Sequence, residues 1–413
     1  MQPDLSAGTL GRAINARLFA LGAVSDDPSV LTRLYLSPAH RRAVDLVEGW
    51  MAEAGMVTRI DSAGSLMGRY EGTTPGAPAL LIGSHLDTVR DAGRYDGALG
   101  VLTAIEVVAA YHRAGQRFPF AIEVLAFGDE EGVRFPTTLH GSRAVAGRYD
   151  AKALDEVDDE GITRRAALEA FGCDADADPS TGWDLTNCLA YLEWHIEQGP
   201  VLEAENLPVG VVSGIAGLSR GTCRVTGKSG HAGTVPMAMR QDALAAAAEM
   251  VLAVEAQGLA TPGLVATVGR LNVPQGAGNV VPGLAEFSLD IRHAEDAVRH
   301  RALREIETRF AIIAQRRGLA LDLKFPFDMP AARSDAGLQA RLQQAASRAG
   351  ITPRTLVSGA GHDAMVFRDK LPFVMMFVRC REGLSHHPDE FASEEDIGMA
   401  AMVMADVVAG FGG

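Results

Sequence analysis

Three residues in the stretch GSHLDTVRDAGRYDGALGV (83–101), namely His85, Asp87 and Asp96, are of types that hold metal ions or move protons. They follow an apolar run over 78–82, so polar groups begin where a buried strand should end. Further along, Glu130 and Glu131 occur in FGDEEGVRF, His195 in EWHIEQGP and His386 in GLSHHPDE. Imidazole and carboxylate without thiolate suit zinc or manganese, with cobalt and nickel also accepted. His85, Asp96, Glu131, His195 and His386 together are too many for one catalytic ion with an open position. They fit two divalent ions sharing a carboxylate, an arrangement that activates water for hydrolysis. Asp87, two residues from His85, is placed to accept the spare ring N–H and fix the tautomer. The neighbouring Glu130 and Glu131 repel each other unless a cation or a shared proton offsets the repulsion. A division of labour resolves this: Glu131 holds metal, while Glu130 takes a proton from water and passes it to a leaving nitrogen.

Taken singly, each motif is weak. A lone HxD is more often a surface turn or a capping pair, and an acid pair near a strand end can simply complement a helix dipole. His195 alone could be a core histidine, as His112, His140 and His300 are expected to be. The joint occurrence of the motifs is what argues for chemistry.

The surrounding pattern supplies elements to position them. A helix is expected over 39–55, ending at Gly55, then a buried strand over 79–83, a helix over 97–114 and a strand over 121–128. Strands alternating with helices through short loops imply an α/β domain with a doubly wound, mainly parallel sheet, whose sites gather at the carboxyl ends of strands. From about residue 214 the order becomes strand 219–227, helix 242–257, strands 264–273 and 285–293, helix 294–317 and strand 319–325. That βαββαβ order is a ferredoxin-like insert. The expected organisation is a discontinuous metal-binding catalytic domain, 1–213 with 329–413, interrupted by a lid and dimerisation domain over 214–328.

Composition narrows the function. With 38 basic against 52 acidic residues and a net charge of −14, the chain lacks the cationic clusters that nucleic acid rewards. The N-terminal residues show no basic segment followed by an apolar one, and no segment reads as uniformly apolar over the length of a bilayer, so no membrane role and a cytoplasmic location are expected. Four scattered cysteines without a CxxC suit reduced thiols.

Many segments, in order, carry a family resemblance: GSHLDTV, YDGALGV, EEGVRF, GSRAVAG, HIEQGPVLE, GKSGHAGTVPM, NVVPG, EFSLDIRH and SGAGHDAM. From about residue 40 to 395 the chain resembles the dinuclear-metal amidohydrolases that cleave ureido and carbamoyl groups. These comprise allantoate amidohydrolase, N-carbamoyl-L-amino acid hydrolase and beta-ureidopropionase, within the aminoacylase and carboxypeptidase-like metallopeptidase superfamily. The resemblance implies metal ligands at His85, Asp96 as the bridge, Glu131, His195 and His386, with Glu130 as general base. His386 is assigned by its place after Ser385, with His387 as its rival. The resemblance also implies a homodimer in which His231 reaches the partner subunit's site and polarises the scissile carbonyl. Asn279 and Arg292 would hold a substrate carboxylate, Gln198 would contact the ureido group, and Gly359, Gly361 and His362 would line the pocket. A guanidinium is a two-pronged match for a carboxylate, which lets an acidic protein select an anionic substrate.

The expected reaction is hydrolysis of a ureido C–N bond with release of ammonia and carbon dioxide. Allantoate is the first choice of substrate and an N-carbamoyl-L-amino acid the alternative. An N-acyl amino acid deacylase or dipeptidase on the same scaffold, and a metal-free binding protein, are the further alternatives.

Overall fold

The computed structural model describes residues 3–181 and 183–411. The chain divides into two compact units, Met1–Gly214 with Ser334–Gly413, and Ile215–Arg333. The second segment thus closes at 333 rather than 328. The last strand of its five-stranded sheet, Ala320–Met329, runs past the expected 325 through an irregularity between Lys324 and Phe327, and the Ala331 N–H then bonds to the Asp296 carboxylate.

In the first unit, four strands lie side by side and parallel, in the order Ala121–Phe127, Ala79–His85, Cys188–Ile196 and Phe373–Val378. Antiparallel strands flank them: Leu66–Tyr70 and then Val57–Ile60 on one side, Val209–Ile215 on the other. Every residue of Ala79–His85 and of Phe373–Val378 is buried. Parallel strands covered on both faces require such continuous apolar runs. The helix Ala98–Arg113 is buried from Ala98 to Tyr111, because it lies against the sheet and beneath the helices Ala7–Gly22 and Glu394–Ala409. Its apolar character all round is the mark of a core helix.

Helix Pro38–Glu53 starts where expected. The Ser37 side chain accepts the His40 N–H and Pro38 occupies the first turn. At its far end Gly55 adopts φ 76° and the Met56 N–H reaches back to the Met51 carbonyl, a closure that favours glycine.

The second unit is an antiparallel sheet carrying the helices Ala243–Ala260 and Asp296–Arg317 around its own core. Across the sheet the strands run Ala320–Met329, Gly217–Thr226, Leu284–His293, then Val265–Thr267 and Leu271–Asn272. This is the fourth–first–third–second order of a split βαββαβ unit. The strand expected over 264–273 is broken in two. Gly269 lies in the gap, where the Arg270 N–H bonds to the Ser288 hydroxyl instead of continuing the ladder.

The expectation that no segment is apolar over the length of a bilayer is corrected in this unit. Ala243–Ala260 is long and apolar enough to cross a membrane by length and composition. Alanines give it that character, and Ala243, Ala246, Ala247, Met250 and Val254 pack into this unit's core.

Candidate metal centre

All five proposed ligands lie at or just beyond the carboxyl ends of the four parallel strands. His85 closes Ala79–His85 and Asp96 lies in the loop that follows it, His195 is the penultimate residue of Cys188–Ile196, Glu131, with Glu130 beside it, follows Ala121–Phe127, and His386 follows Phe373–Val378. Adjacent parallel strands bring these ends together, although His85 and His386 are 301 positions apart in sequence.

Two donor groups form, and Asp96 belongs to both: His85, Asp96 and His195 in one, Asp96, Glu131 and His386 in the other. Within each, the ligand atoms lie no more than 4.8 Å apart. Asp96 Oδ1 is 3.5 Å from His85 Nε2 and 3.0 Å from His195 Nε2, while Oδ2 is 3.4 Å from His386 Nε2. His386 Nε2 is also 3.4 Å from Glu131 Oε2. His387 belongs to neither group; its ring accepts the Asp389 N–H. Glu130 stands beside both groups, its Oε2 3.9 Å from His85 Nε2.

The rings are aimed from behind. His85 Nδ1 bonds to the Asp87 carbonyl at 2.9 Å and His195 Nδ1 to the Ile196 carbonyl at 3.0 Å, so each ring is held with its Nε2 turned toward Asp96. The sequence reading of Asp87 is corrected in its atoms. The main-chain carbonyl takes the ring N–H, whereas the carboxylate accepts the N–H groups of Glu130 and Glu131, each at 3.2 Å. Asp87 therefore also fixes the acid pair.

The backbone is held in costly conformations around these residues. Asp129, Gln198 and His386 all have positive φ, at 73°, 56° and 56°. Non-glycine residues seldom adopt this region, and it persists where surroundings impose it. At Gly97, with φ 66°, a Cβ would come within 2.4 Å of the His85 ring, so glycine is required.

The electrostatics describe a site with more carboxylate than it can hold by itself. Burial drives Glu130 well above the usual carboxylate range, aided by Glu131 and Asp363. Burial and Asp96 push Glu131 up to about 7. Burial opposes ionisation of Asp96, yet the surrounding imidazoles outweigh it and hold this carboxyl well below its ordinary value. The Asp96 contact raises His386 to about 9. Divalent cations relieve such a cluster. His85 Nε2 and Glu131 Oε1 are buried without hydrogen-bond partners, as ligand atoms awaiting an ion would be.

The other proposed residues fall into two sets. In the first unit, Gln198 Nε2 donates to Asp96 Oδ2 at 2.9 Å, and the buried His362 ring meets the His195 ring edge-on at 4.4 Å. Gly359 and Gly361 are exposed on the loop leading to His362. Burial and His195 lower the His362 pKa well below its ordinary value. In the second unit, His231 is exposed on a two-residue strand paired with Val280, and the Asn279 carbonyl accepts the Ala232 N–H. Arg292 there pairs with Asp290, at 2.6 Å through Nε.

Sequence reasoning missed several supporting residues. Glu390, buried, accepts the N–H groups of Tyr95 and Asp96 at 2.8 and 3.1 Å, and Ser385 donates to Asp96 Oδ2 at 2.6 Å. Both stand in the quoted GLSHHPDE, yet nothing local shows that they reach residue 96. Asp129 pairs with Arg164, both fully buried, beneath the acid pair. Arg164 opens the short helix Arg164–Phe171, 35 positions from Asp129.

The parallel-strand fold and the shared carboxylate are what a metal-dependent hydrolase requires. Residues 81–410 match the model of peptidase family M20/M25/M40. An N-carbamoyl-L-amino-acid amidohydrolase of Pseudomonas sp. (strain NS671) is 42% identical over 369 residues, 88% of this chain and 89% of that protein. An allantoate deiminase of Arabidopsis thaliana is 39% identical over 436 residues, 98% of this chain and 83% of that one. Among solved structures, a hydantoinase/carbamoylase family amidase of Burkholderia multivorans superposes with a TM-score of 0.91 at 34% identity, covering 96% of each chain. The chain belongs to the M20/M25/M40 family, as the quoted motifs imply.

Proposed function

We propose that this hydrolase of carbon–nitrogen bonds cleaves the ureido or carbamoyl group of a small anionic substrate, allantoate or an N-carbamoyl-L-amino acid. One ureido group and one water give the amine, carbon dioxide and ammonia. The observation carrying the reading is that Asp96 belongs to two donor groups while Glu130 stands beside them unclaimed. In this reading His85, His195 and Asp96 hold one divalent ion and Asp96, Glu131 and His386 a second, zinc or manganese first, cobalt or nickel next. When bound, such ions polarise the scissile carbonyl and make water acidic enough to attack at neutral pH.

The chain's own groups do the rest. Glu130 accepts the proton of the attacking water and delivers it to the leaving nitrogen. Asp87 keeps both glutamates in place through their N–H groups. Arg292 and Asn279 bind the substrate carboxylate, Gln198 the ureido group, and Gly359, Gly361 and His362 line its pocket. The second unit acts as lid and dimerisation domain of a cytoplasmic homodimer, and His231 donates to the developing oxyanion of the partner subunit's substrate. Support for self-association comes from the outer side of Ala243–Ala260, where Leu252 and Leu259 are 62% and 84% exposed.

The Arabidopsis and Pseudomonas relatives resemble the chain to nearly equal degrees, so the two substrates stand together. The test is ammonia release from allantoate and from several N-carbamoyl-L-amino acids, with zinc, manganese, cobalt and nickel each restored after chelation. Turnover of one class names the substrate; release from neither overturns the proposal. Cleavage of N-acyl amino acids without ammonia would instead make the chain a deacylase, and turnover unaffected by chelation would remove the metals.

A further inference from the structure

A metal ligand is oriented by its ion, but a carboxylate that only moves protons must be placed by the protein around it. Glu130 is in that position. It belongs to neither donor group, and its Oε2 is 3.9 Å from His85 Nε2, beyond hydrogen-bond reach. What the fold fixes instead is its backbone. The Glu130 and Glu131 N–H groups both go to the Asp87 carboxylate at 3.2 Å. The Asp129 carbonyl accepts the Leu139 N–H at 2.6 Å, and the Thr138 hydroxyl lies 2.9 Å from it while also touching the Glu130 carbonyl. Both peptide units flanking Glu130 are therefore held by their polar groups.

The peptide before Glu130 turns on Asp129, whose φ of 73° lies in a region that non-glycine residues seldom keep without outside constraint. The constraint on its side chain is Arg164. Both residues are fully buried, and Arg164 Nη1 donates to Asp129 Oδ2. The other end of the guanidinium is spent on Glu156 Oε2 at 2.8 Å and the Thr137 carbonyl at 3.1 Å, with the Phe135 ring centre 4.5 Å from its central carbon. Glu156 in turn accepts the Thr137 hydroxyl at 2.8 Å. One guanidinium thus ties the start of the loop 129–139 to its end and to the segment that follows. The rigid fork of arginine spans these three partners, and the single ammonium of a lysine does not.

We propose that Arg164 is a positioning residue for proton transfer: through Asp129 it locks the turn that aims Glu130, a carboxylate that neither donor group claims. This rests on the reading of Glu130 as proton carrier and supplies the part of the chain that places it. Displacing a reacting group by about 1 Å costs on the order of 10²-fold, so the loss belongs in kcat rather than in metal or substrate binding.

The test uses the full chain loaded with zinc or manganese, assayed by ammonia release from allantoate and from N-carbamoyl-L-amino acids. Arg164→Met should lower kcat by about 10- to 100-fold, with KM and metal content near the wild-type values. In a Glu130→Gln background the same substitution should cost no more than about twofold, because the group it positions is already gone. Equal losses in both backgrounds would make Arg164 merely structural and overturn the inference, while the reading of Glu130 stands. Full turnover by Glu130→Gln alone, or no ammonia from the wild type, overturns that reading and the inference with it.

Arg164→Met strands a buried carboxylate, so the double variant Arg164→Met/Asp129→Asn, which removes both charges, guards against a failure to fold. It should melt as a folded protein and still lose about tenfold or more in kcat. Wild-type kcat in that variant would refute the clamp. Amide hydrogen exchange on metal-free protein gives a readout free of turnover. Exchange over residues 128–139 should quicken about tenfold or more in the double variant, and unchanged exchange there would also refute it.

Discussion

The two sheets of this molecule bury their residues by different rules. In the first unit Ala79–His85 and Phe373–Val378 are buried at every position, and polar chemistry starts where the strands stop. In the second unit Gly217–Thr226 and Leu284–His293 alternate along nearly their whole length, one side facing the helices, the other bearing charges such as Arg220, Arg224, Glu286 and Asp290. A sheet covered on both faces leaves only its strand ends for function, and there a histidine or carboxylate is desolvated and its ionisation displaced. A sheet covered on one face keeps its ionisable groups in water, where pairing changes little. The lesson is that burial of the scaffold, not the number of charges, marks the candidate centre.

The sharpest way to break this comparison is to remove one carboxylate from each region. Glu130→Gln should lower turnover by about 10²- to 10⁴-fold while circular dichroism and thermal melting stay as in the wild type. Retained turnover would show that the buried cluster is not the chemical centre. Next in size is the core of the second unit, which shares no residue with that of the first. Phe310→Ala empties the space of a fully buried ring and should cost about 3–5 kcal/mol, read as a shifted transition in calorimetry. Metal affinity measured on that variant below its transition should stay near the wild-type value.

A pH experiment extends the comparison to buried histidines outside the centre. His40 is fully buried, its Nδ1 accepting the Leu36 N–H, and burial together with Arg33 lowers its pKa from 6.5 to about 3. The unfolded chain therefore takes up this proton first as the pH falls. The stabilising contribution is complete above about pH 6.5 and is lost between there and pH 3, at about 1.4 kcal/mol per unit. Denaturant titrations at several pH values should show His40→Gln losing stability less steeply than the wild type on acidification. Parallel slopes would contradict the assignment. The smallest effect belongs to the surface of the second unit. Glu249 pairs with Arg316 and Arg317, and Glu249→Ala should change stability by no more than about 1 kcal/mol in the same titrations.

Much of the centre was legible because its signals are local. His85 and the Glu130–Glu131 pair stand just past apolar runs that read as strands, and Gly97 separates Asp96 from a recognisable helix. Of the parallel strands, Ala79–His85 and Ala121–Phe127 were visible as apolar stretches, and the second unit through its order of strands and helices. Signals failed where partners lie far apart. Ser385 reaches Asp96 across 289 positions, and Glu390 reaches the Asp96 N–H across 294. The carboxylate of Asp87 proved to grip the acid pair rather than the nearby ring, because the loop after the neighbouring strand passes closer to it. The break in strand 264–273 escaped notice since one glycine among apolar residues does not reveal a change of hydrogen-bond partner.

Sequence alone determined which residues are chemically able to hold metal and move protons, and marked several of the stretches that form strand or helix. Both follow from side-chain chemistry and from periodicities of a few residues. Tertiary structure alone decided that Asp96 is shared and that Glu130 stands apart. Those facts depend on which strands lie side by side, and each hydrogen bond that fixes them is closed between loops that the chain itself keeps far apart.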